Sequence, residues 1–173
     1  MIVLAWLLAC PRAATEVEPA LVDSTRAASR VEPAGAVSAG VWEDAEFPYV
    51  MRVPEGYELT PGLRGQNPRV TLVDPTTRAR VEMSVYPGGP RGPRERRGCT
   101  WTFVDTAPYR QIALAGLVTI GTCTPADPRH ARVLGYFVEH AGSAYDLEAI
   151  IPPGKLLDGK AAAERAVGGV RFR

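Results

Sequence analysis

The sequence predicts an α+β fold: a mostly antiparallel β-sheet with a C-terminal helix packed on one of its faces. Three observations carry this. From Phe47 to Ile151, apolar residues recur at every second position in short runs, the period of half-buried strands. The runs are separated by brief turns rich in Pro, Gly and Asp, and turns that short join antiparallel neighbours. After Pro152-Pro153-Gly154 the apolar period lengthens to that of a helix. Each element needs a partner for its apolar side, so the helix must cover the sheet.

The totals fit one domain with appendages. The chain has 173 residues, 46% hydrophobic and 23% charged, enough for a single core. A net charge of +1 gives no global field to attract nucleic acid or an acidic partner. Sixteen prolines and 17 glycines imply many turns.

The folded domain is expected over residues 42–173. Phe47, Tyr49, Met51 and Val53 alternate along a strand, with Pro48 placing it at an edge or at a strand start. A turn at Pro54–Tyr57 and a loop from Pro61 to Pro68 follow. Val70–Val73 and Ala79–Tyr86 form the clearest hairpin, across Asp74-Pro75-Thr76-Thr77 with proline at the favoured second turn position. Residues 87–98 are the longest irregular stretch. Four arginines there, Arg91, Arg94, Arg96 and Arg97, read either as a solvated loop or as an anion-binding loop for lipid head groups or an envelope polyanion. Cys99, Trp101 and Phe103 share one face of the next strand, and Ile112–Cys123 is strand-like but interrupted by Gly116 and Gly121. Val133–His140 and Tyr145–Ile151 form a second hairpin across Ala141–Ala144, with Tyr145, Leu147, Ala149 and Ile151 inward and Asp146 and Glu148 outward. Leu156, Leu157, Ala161, Glu164, Val167 and Val170 have helical spacing, with Asp158 as N-cap and Gly168-Gly169 ending the helix. Val170-Arg171-Phe172 closes the chain on an aromatic anchor. The tally is six to eight strands and one helix.

The N-terminus is organised differently. Ile2 to Ala9 is an apolar run too short to cross a bilayer as a helix, which takes roughly 20 residues. Leu7-Leu8-Ala9-Cys10 resembles the lipobox of bacterial lipoproteins. The resemblance implies that residues 1–9, Trp6 among them, are a removed signal and that Cys10 carries lipid. The run lacks a preceding Lys or Arg, and a non-lipidated signal or an ordinary apolar N-terminus is the alternative. Residues 10–41 read as the lipidated cysteine and a flexible linker, poor in aromatics, spanning about 30 Å as a coil. With Cys10 taken by lipid, Cys99 and Cys123 are left to pair as a disulfide in an oxidising compartment; two buried thiols are the other reading.

Phe47-Pro-Tyr-Val-Met-Arg-Val53-Pro54-Glu-Gly-Tyr57 resembles the opening of PsbP-like domains, a family that includes the extrinsic photosystem II protein and many small bacterial lipoproteins. The ending is also similar: a strand carrying Tyr145-x-Leu147, a terminal helix and a last Phe172. The resemblance implies an antiparallel sheet with helices packed on its faces, an α/β/α sandwich, and it carries no catalytic residues. The glycine-arginine loop and the Cys99/Cys123 pair have no counterpart in that pattern, and a plain β-sandwich is the alternative architecture.

No catalytic constellation stands out. The sequence holds no Gly-x-Ser-x-Gly elbow, phosphate loop or His-Glu-x-x-His. His130 and His140 read as surface residues, and Asp74, Asp105, Asp127, Asp146 and Glu148 spread over turns and outward faces without a pair. Trp42 and Trp101 are expected in the core, whereas an exposed Trp101 with Phe103 would mark a binding face. No cofactor, metal or nucleic acid is expected. The expected function is that of a non-catalytic envelope protein that binds or scaffolds a partner, lipid-anchored at the outer membrane and facing the periplasm, or else secreted. The rivals are a small hydrolase with an unrecognised site and a cytosolic chaperone-like domain.

Overall fold

A computed structural model of the chain describes residues 31–88, 99–107 and 118–173. In chain order its elements are β1 (Gly35–Ser38), β2 (Val41–Asp44), β3 (Tyr49–Arg52), β4 (Glu58–Pro61), β5 (Val70–Val73), β6 (Arg80–Pro87), β7 (Cys99–Ala107), β8 (Val118–Pro125), β9 (Arg132–His140), β10 (Ser143–Ile151), α1 (Leu156–Val167) and β11 (Val170–Phe172). They make a four-stranded sheet, β1-β2-β3-β11, and a seven-stranded sheet, β4-β5-β6-β10-β9-β8-β7. Every pairing is antiparallel. The mostly antiparallel α+β class expected from the period-2 runs and the terminal helix is the one observed.

One core joins the two sheets and the helix. Val81, Met83 and Val85 of β6, Leu134, Tyr136 and Val138 of β9, and Tyr145, Leu147, Ala149 and Ile151 of β10 project from one face of the large sheet. They meet Trp42, Tyr49 and Met51 of the small sheet and Ala163, Ala166 and Val167 of α1. The small alanines let α1 lie close on β10, β6 and β3. Tyr49 stands edge-on to Tyr145, ring centroids 5.9 Å apart, and Tyr145 edge-on to Phe172 at 4.6 Å. Phe172 is thus the expected anchor, and it works as part of β11, paired to β3. His140 holds the chain end further, with its Nε2 3.0 Å from the Arg173 carbonyl oxygen.

Four expectations are corrected. The first concerns the linker, expected to run to residue 41. Pro33 bridges to Leu63, Ala34 is fully buried, and β1 pairs with β2, so the folded unit already includes residues 33–38. The second is the cap of α1: its N-cap is Lys155, which makes no side-chain capping bond, and Asp158 lies inside the first turn, where its charge complements the helix dipole.

The third is the second hairpin turn. It is only Ala141–Gly142, both with positive φ (47° and 74°), the two-residue geometry that matches strand twist. Ala at the first position hides the turn from sequence reading. The fourth is the outward placement of Asp146 and Glu148. They do lie on the face opposite Leu147, yet they are only 3% and 8% exposed. Val133 and Phe137 on that same face of β9 are buried too, and a central strand buried on both faces loses the simple inside–outside alternation.

The two sheets are clasped by Arg69, just before β5, which is 1% exposed. Its Nε donates to Asp44 Oδ2 at 3.0 Å and its Nη2 to Asp44 Oδ1 at 3.1 Å, a bidentate pair, and Nη2 also bonds Glu46. The guanidinium lies 5.1 Å from the centre of the Phe47 ring. Asp44 is further held by the backbone N–H groups of Glu46 and Phe47 and by the Tyr49 hydroxyl. Burial, with the Asp44 charge beside it, pushes the Tyr49 hydroxyl far above its ordinary value, so Tyr49 stays a donor.

Acid should loosen this arrangement. The bond from Arg69 lowers the Glu46 pKa below its ordinary 4.5, and the bond from Thr77 lowers that of Asp74 below 3.8. A depressed folded-state pKa gives stability that is complete above the ordinary value and lost as pH falls through the folded one. The melting temperature is therefore expected to hold from neutrality to about pH 5 and to fall below about pH 4; a rise on acidification would contradict this assignment.

Candidate binding face at the β7–β8 edge

Among the described residues β7 is the outermost strand on its side of the large sheet. Its register places Cys99 opposite Pro125, Trp101 opposite Cys123 and Phe103 opposite Gly121. Cys99 and Cys123 are diagonal neighbours, bonded as a disulfide with Cα atoms 5.6 Å apart, within the ordinary range for such a bridge. Cys123 is fully buried. The bridge therefore ties the edge strand to its only described neighbour.

Cys99, Trp101 and Phe103 share a face, as the alternation anticipates, but that face is the one turned away from the core. Trp42 is the core tryptophan, 1% exposed; Trp101 is half-buried over the outer face. Its ring stacks on Phe103, centroids 6.0 Å apart and planes within 10°, and meets Phe137 of β9 edge-on at 5.7 Å. Phe103 is 48% exposed, whereas Phe137 is 7% exposed. The three rings thus run from a covered end to an open one.

Two glycines make the bed for these rings. Gly121 of β8 pairs with Gly135 of β9, side by side beneath them. A Cβ at Gly121 would stand 2.8 Å from Phe103 Cε1 and 2.9 Å from Trp101 Cε3, and one at Gly135 would stand 3.1 Å from Trp101 Cη2 and 2.7 Å from Phe137 Cε2. Only glycine leaves room for rings lying flat on the sheet. Gly121 was visible in sequence only as an interruption. Its register with Gly135 is the signal that sequence reading missed.

The same face carries Asp146, opposite Phe137, and Glu148, opposite Gly135 and, on the other side, Glu82. Glu82 pairs with Arg80 at 2.9 Å. The other titratable groups of the turns are scattered. Asp74 is buried in its own turn, accepting from Thr77 Oγ1 at 2.6 Å. Asp127 pairs with Arg129 at 2.7 Å, and His130 is exposed. Among the described residues no three of His, Cys, Asp and Glu converge as a metal site would require, and no helix is long and apolar enough to cross a membrane. Cys10 and the arginines Arg91, Arg94, Arg96 and Arg97 lie outside the described residues, as does the side chain of Asp105.

Chemically, the face offers apolar, aromatic contact on a covalently fixed edge. A stacked ring with half its surface in water gains by being covered, since burying apolar area yields about 25 cal/mol per Å².

No protein-family model matches the sequence, and no curated protein matches it in sequence. Among solved structures, the solution structure of cyanobacterial PsbP (CyanoP) from Synechocystis sp. PCC 6803 is similar. The TM-score is 0.52 at 10% identity, covering 80% of this chain and 96% of that one. At that identity the likeness is one of fold, and it matches the PsbP-like architecture implied by the two ends of the domain.

Proposed function

We propose, from this PsbP-like fold and its stapled edge, that the chain is a non-catalytic accessory protein of the cell envelope. In this reading Cys10 carries the lipid anchor, residues 11 to about 32 are the tether, and the folded unit engages a partner protein through Phe103 and Trp101. The outer membrane, facing the periplasm, is the proposed location. Arg91, Arg94, Arg96 and Arg97 are proposed to lean on anionic head groups near the anchor.

The observation that carries the reading is a disulfide-bonded edge strand presenting an exposed aromatic ring. The disulfide favours an oxidising compartment. The ring favours a contact, because aromatic residues in such positions dominate interface energetics.

Two measurements test it. Intact mass of the membrane-fraction protein is expected to give a chain starting at Cys10 and heavier by lipid, with Cys10→Ser moving the protein to the soluble fraction. An unmodified Met1 in the soluble fraction would overturn the anchor. Crosslinking in the native envelope is expected to trap one protein species with wild type and at least tenfold less with Phe103→Ser, as for an interface hot spot. Equal yields would remove the aromatic face from the reading.

A further inference from the structure

At one end of the large sheet two proline-bearing turns face each other. Pro125 ends β8 and Pro128 lies in the β8–β9 connection, while Pro152 and Pro153 belong to the β10–α1 connection. Between them is a half-open cleft of about 210 Å³, lined by these prolines, Leu156, His130 and Arg132, with the buried Ile151 behind it. Arg132 is the register partner of the buried Ile151 across β9 and β10, which fixes the cation at the rim of the core.

The charge of the cleft is one-sided. Asp127, in the same turn as Pro128, is held by Arg129, whose Nε and Nη2 reach both carboxylate oxygens at 2.7–3.1 Å. Arg132 makes no ion pair among the described residues, and no carboxylate lines the cleft. A backbone bond from the His130 N–H to the Asp127 carbonyl, 3.0 Å, fixes the turn that presents the imidazole.

We propose that this cleft captures the C-terminal residue of a partner polypeptide, its carboxylate on Arg132 and His130 and its apolar side chain against Leu156 and the prolines. The volume lies below the roughly 300 Å³ at which pockets for drug-sized ligands begin, but it holds one side chain with its terminal carboxylate. A free inorganic anion would have no use for the proline and leucine walls. An apolar chain without a charge would leave Arg132 unanswered. Arginine suits this role because its planar fork matches a carboxylate in two parallel bonds. Proline walls need little ordering when the ligand arrives, and Pro125 stands opposite Cys99 in the register, so the disulfide steadies one wall.

The site is separate from the aromatic face and does not rest on the anchor or on Phe103. The test uses the full chain carrying Cys10→Ser and two hexapeptides ending in leucine, one with a free carboxylate and one amidated. Followed by two-dimensional NMR, the free acid is expected to move the resonances of Arg132, Ile151 and Leu156 saturably. The amide is expected to bind about ten- to hundredfold more weakly, as for loss of a charge-assisted bond. Arg132→Gln should lose the same factor and Arg132→Lys should restore part of it, with the remaining spectrum unchanged in both. Equal binding of acid and amide, displacement by an equal concentration of inorganic phosphate, or no shifts at millimolar peptide would each overturn the proposal.

Discussion

Replacing Arg69 by methionine is expected to cost about 3–5 kcal/mol of folding stability, because it leaves a buried carboxylate without its countercharge. Asp44 is 7% exposed and Arg69 1% exposed, so water cannot replace either partner. Natural domains are stable by about 5–15 kcal/mol, and the loss would take a fifth or more of that. The urea midpoint should fall with the slope unchanged. Asp44 is also held by two backbone N–H groups and the Tyr49 hydroxyl, which allows a sharper question. If those three donors suffice for the charge, Arg69→Met will cost less than about 1 kcal/mol, and the clasp is not what joins the sheets. A double-mutant cycle with Asp44→Asn isolates the pair itself.

The clasp has a consequence for the chain upstream. Arg69 Nη2 also reaches the Ala34 carbonyl, 3.4 Å away, and the Ala34 N–H bonds the Gly62 carbonyl at 2.8 Å. Losing Arg69 therefore loosens β1 and the start of the folded unit before the core opens. In the envelope reading this is where the tether meets the domain, so the variant should be cut by protease near residues 31–38 ahead of global unfolding.

How much of this was legible depends on length and chemistry. β6, the β9–β10 hairpin and α1 showed because each holds enough residues for a period to emerge, and β5 because a turn joins it to β6. β1, β2, β4 and β11 have four residues or fewer and neither the longer apolar alternation that marks β3 nor the turn and partner strand that mark β5, and Gly35-Ala36-Val37-Ser38 reads as linker by composition. Arg69 carries no mark of burial in sequence. An arginine between Pro68 and Val70 looks like a solvated loop residue, and only the fold brings Asp44 and Glu46 to it. Asp146 and Glu148 were read as outward because charge usually goes to water, whereas β10 is the middle strand of seven. Trp101 is expected in the core from sequence, and it lies on the outer face instead. Its alternation with Cys99 and Phe103 was right, but period 2 says which residues share a face and never which face is covered.

Removing the Cys99–Cys123 bond is expected to cost roughly 3.5 kcal/mol, the chain-entropy value for a loop of about 25 residues. The sequence separation of the two cysteines is 24. Cys123 is fully buried, so Cys123→Ala with Cys99→Ala is the cleaner variant; serine would add a buried hydroxyl. The loss should not be uniform. β7 has one described neighbour, while β8 lies between β7 and β9, so the edge strand opens first and the core later. Amide exchange at Trp101, Thr102 and Phe103 is expected to speed up before that of Leu147 or Met83. Opening β7 also lifts Phe103 from its bed over Gly121, so a partner held by the aromatic face should dissociate on reduction while the rest of the domain stays folded. If exchange accelerates equally across both sheets, the bridge acts on the unfolded ensemble alone. If partner capture persists in the reduced protein, strand pairing with β8 suffices to present the rings, and the redox state of the compartment no longer bears on binding.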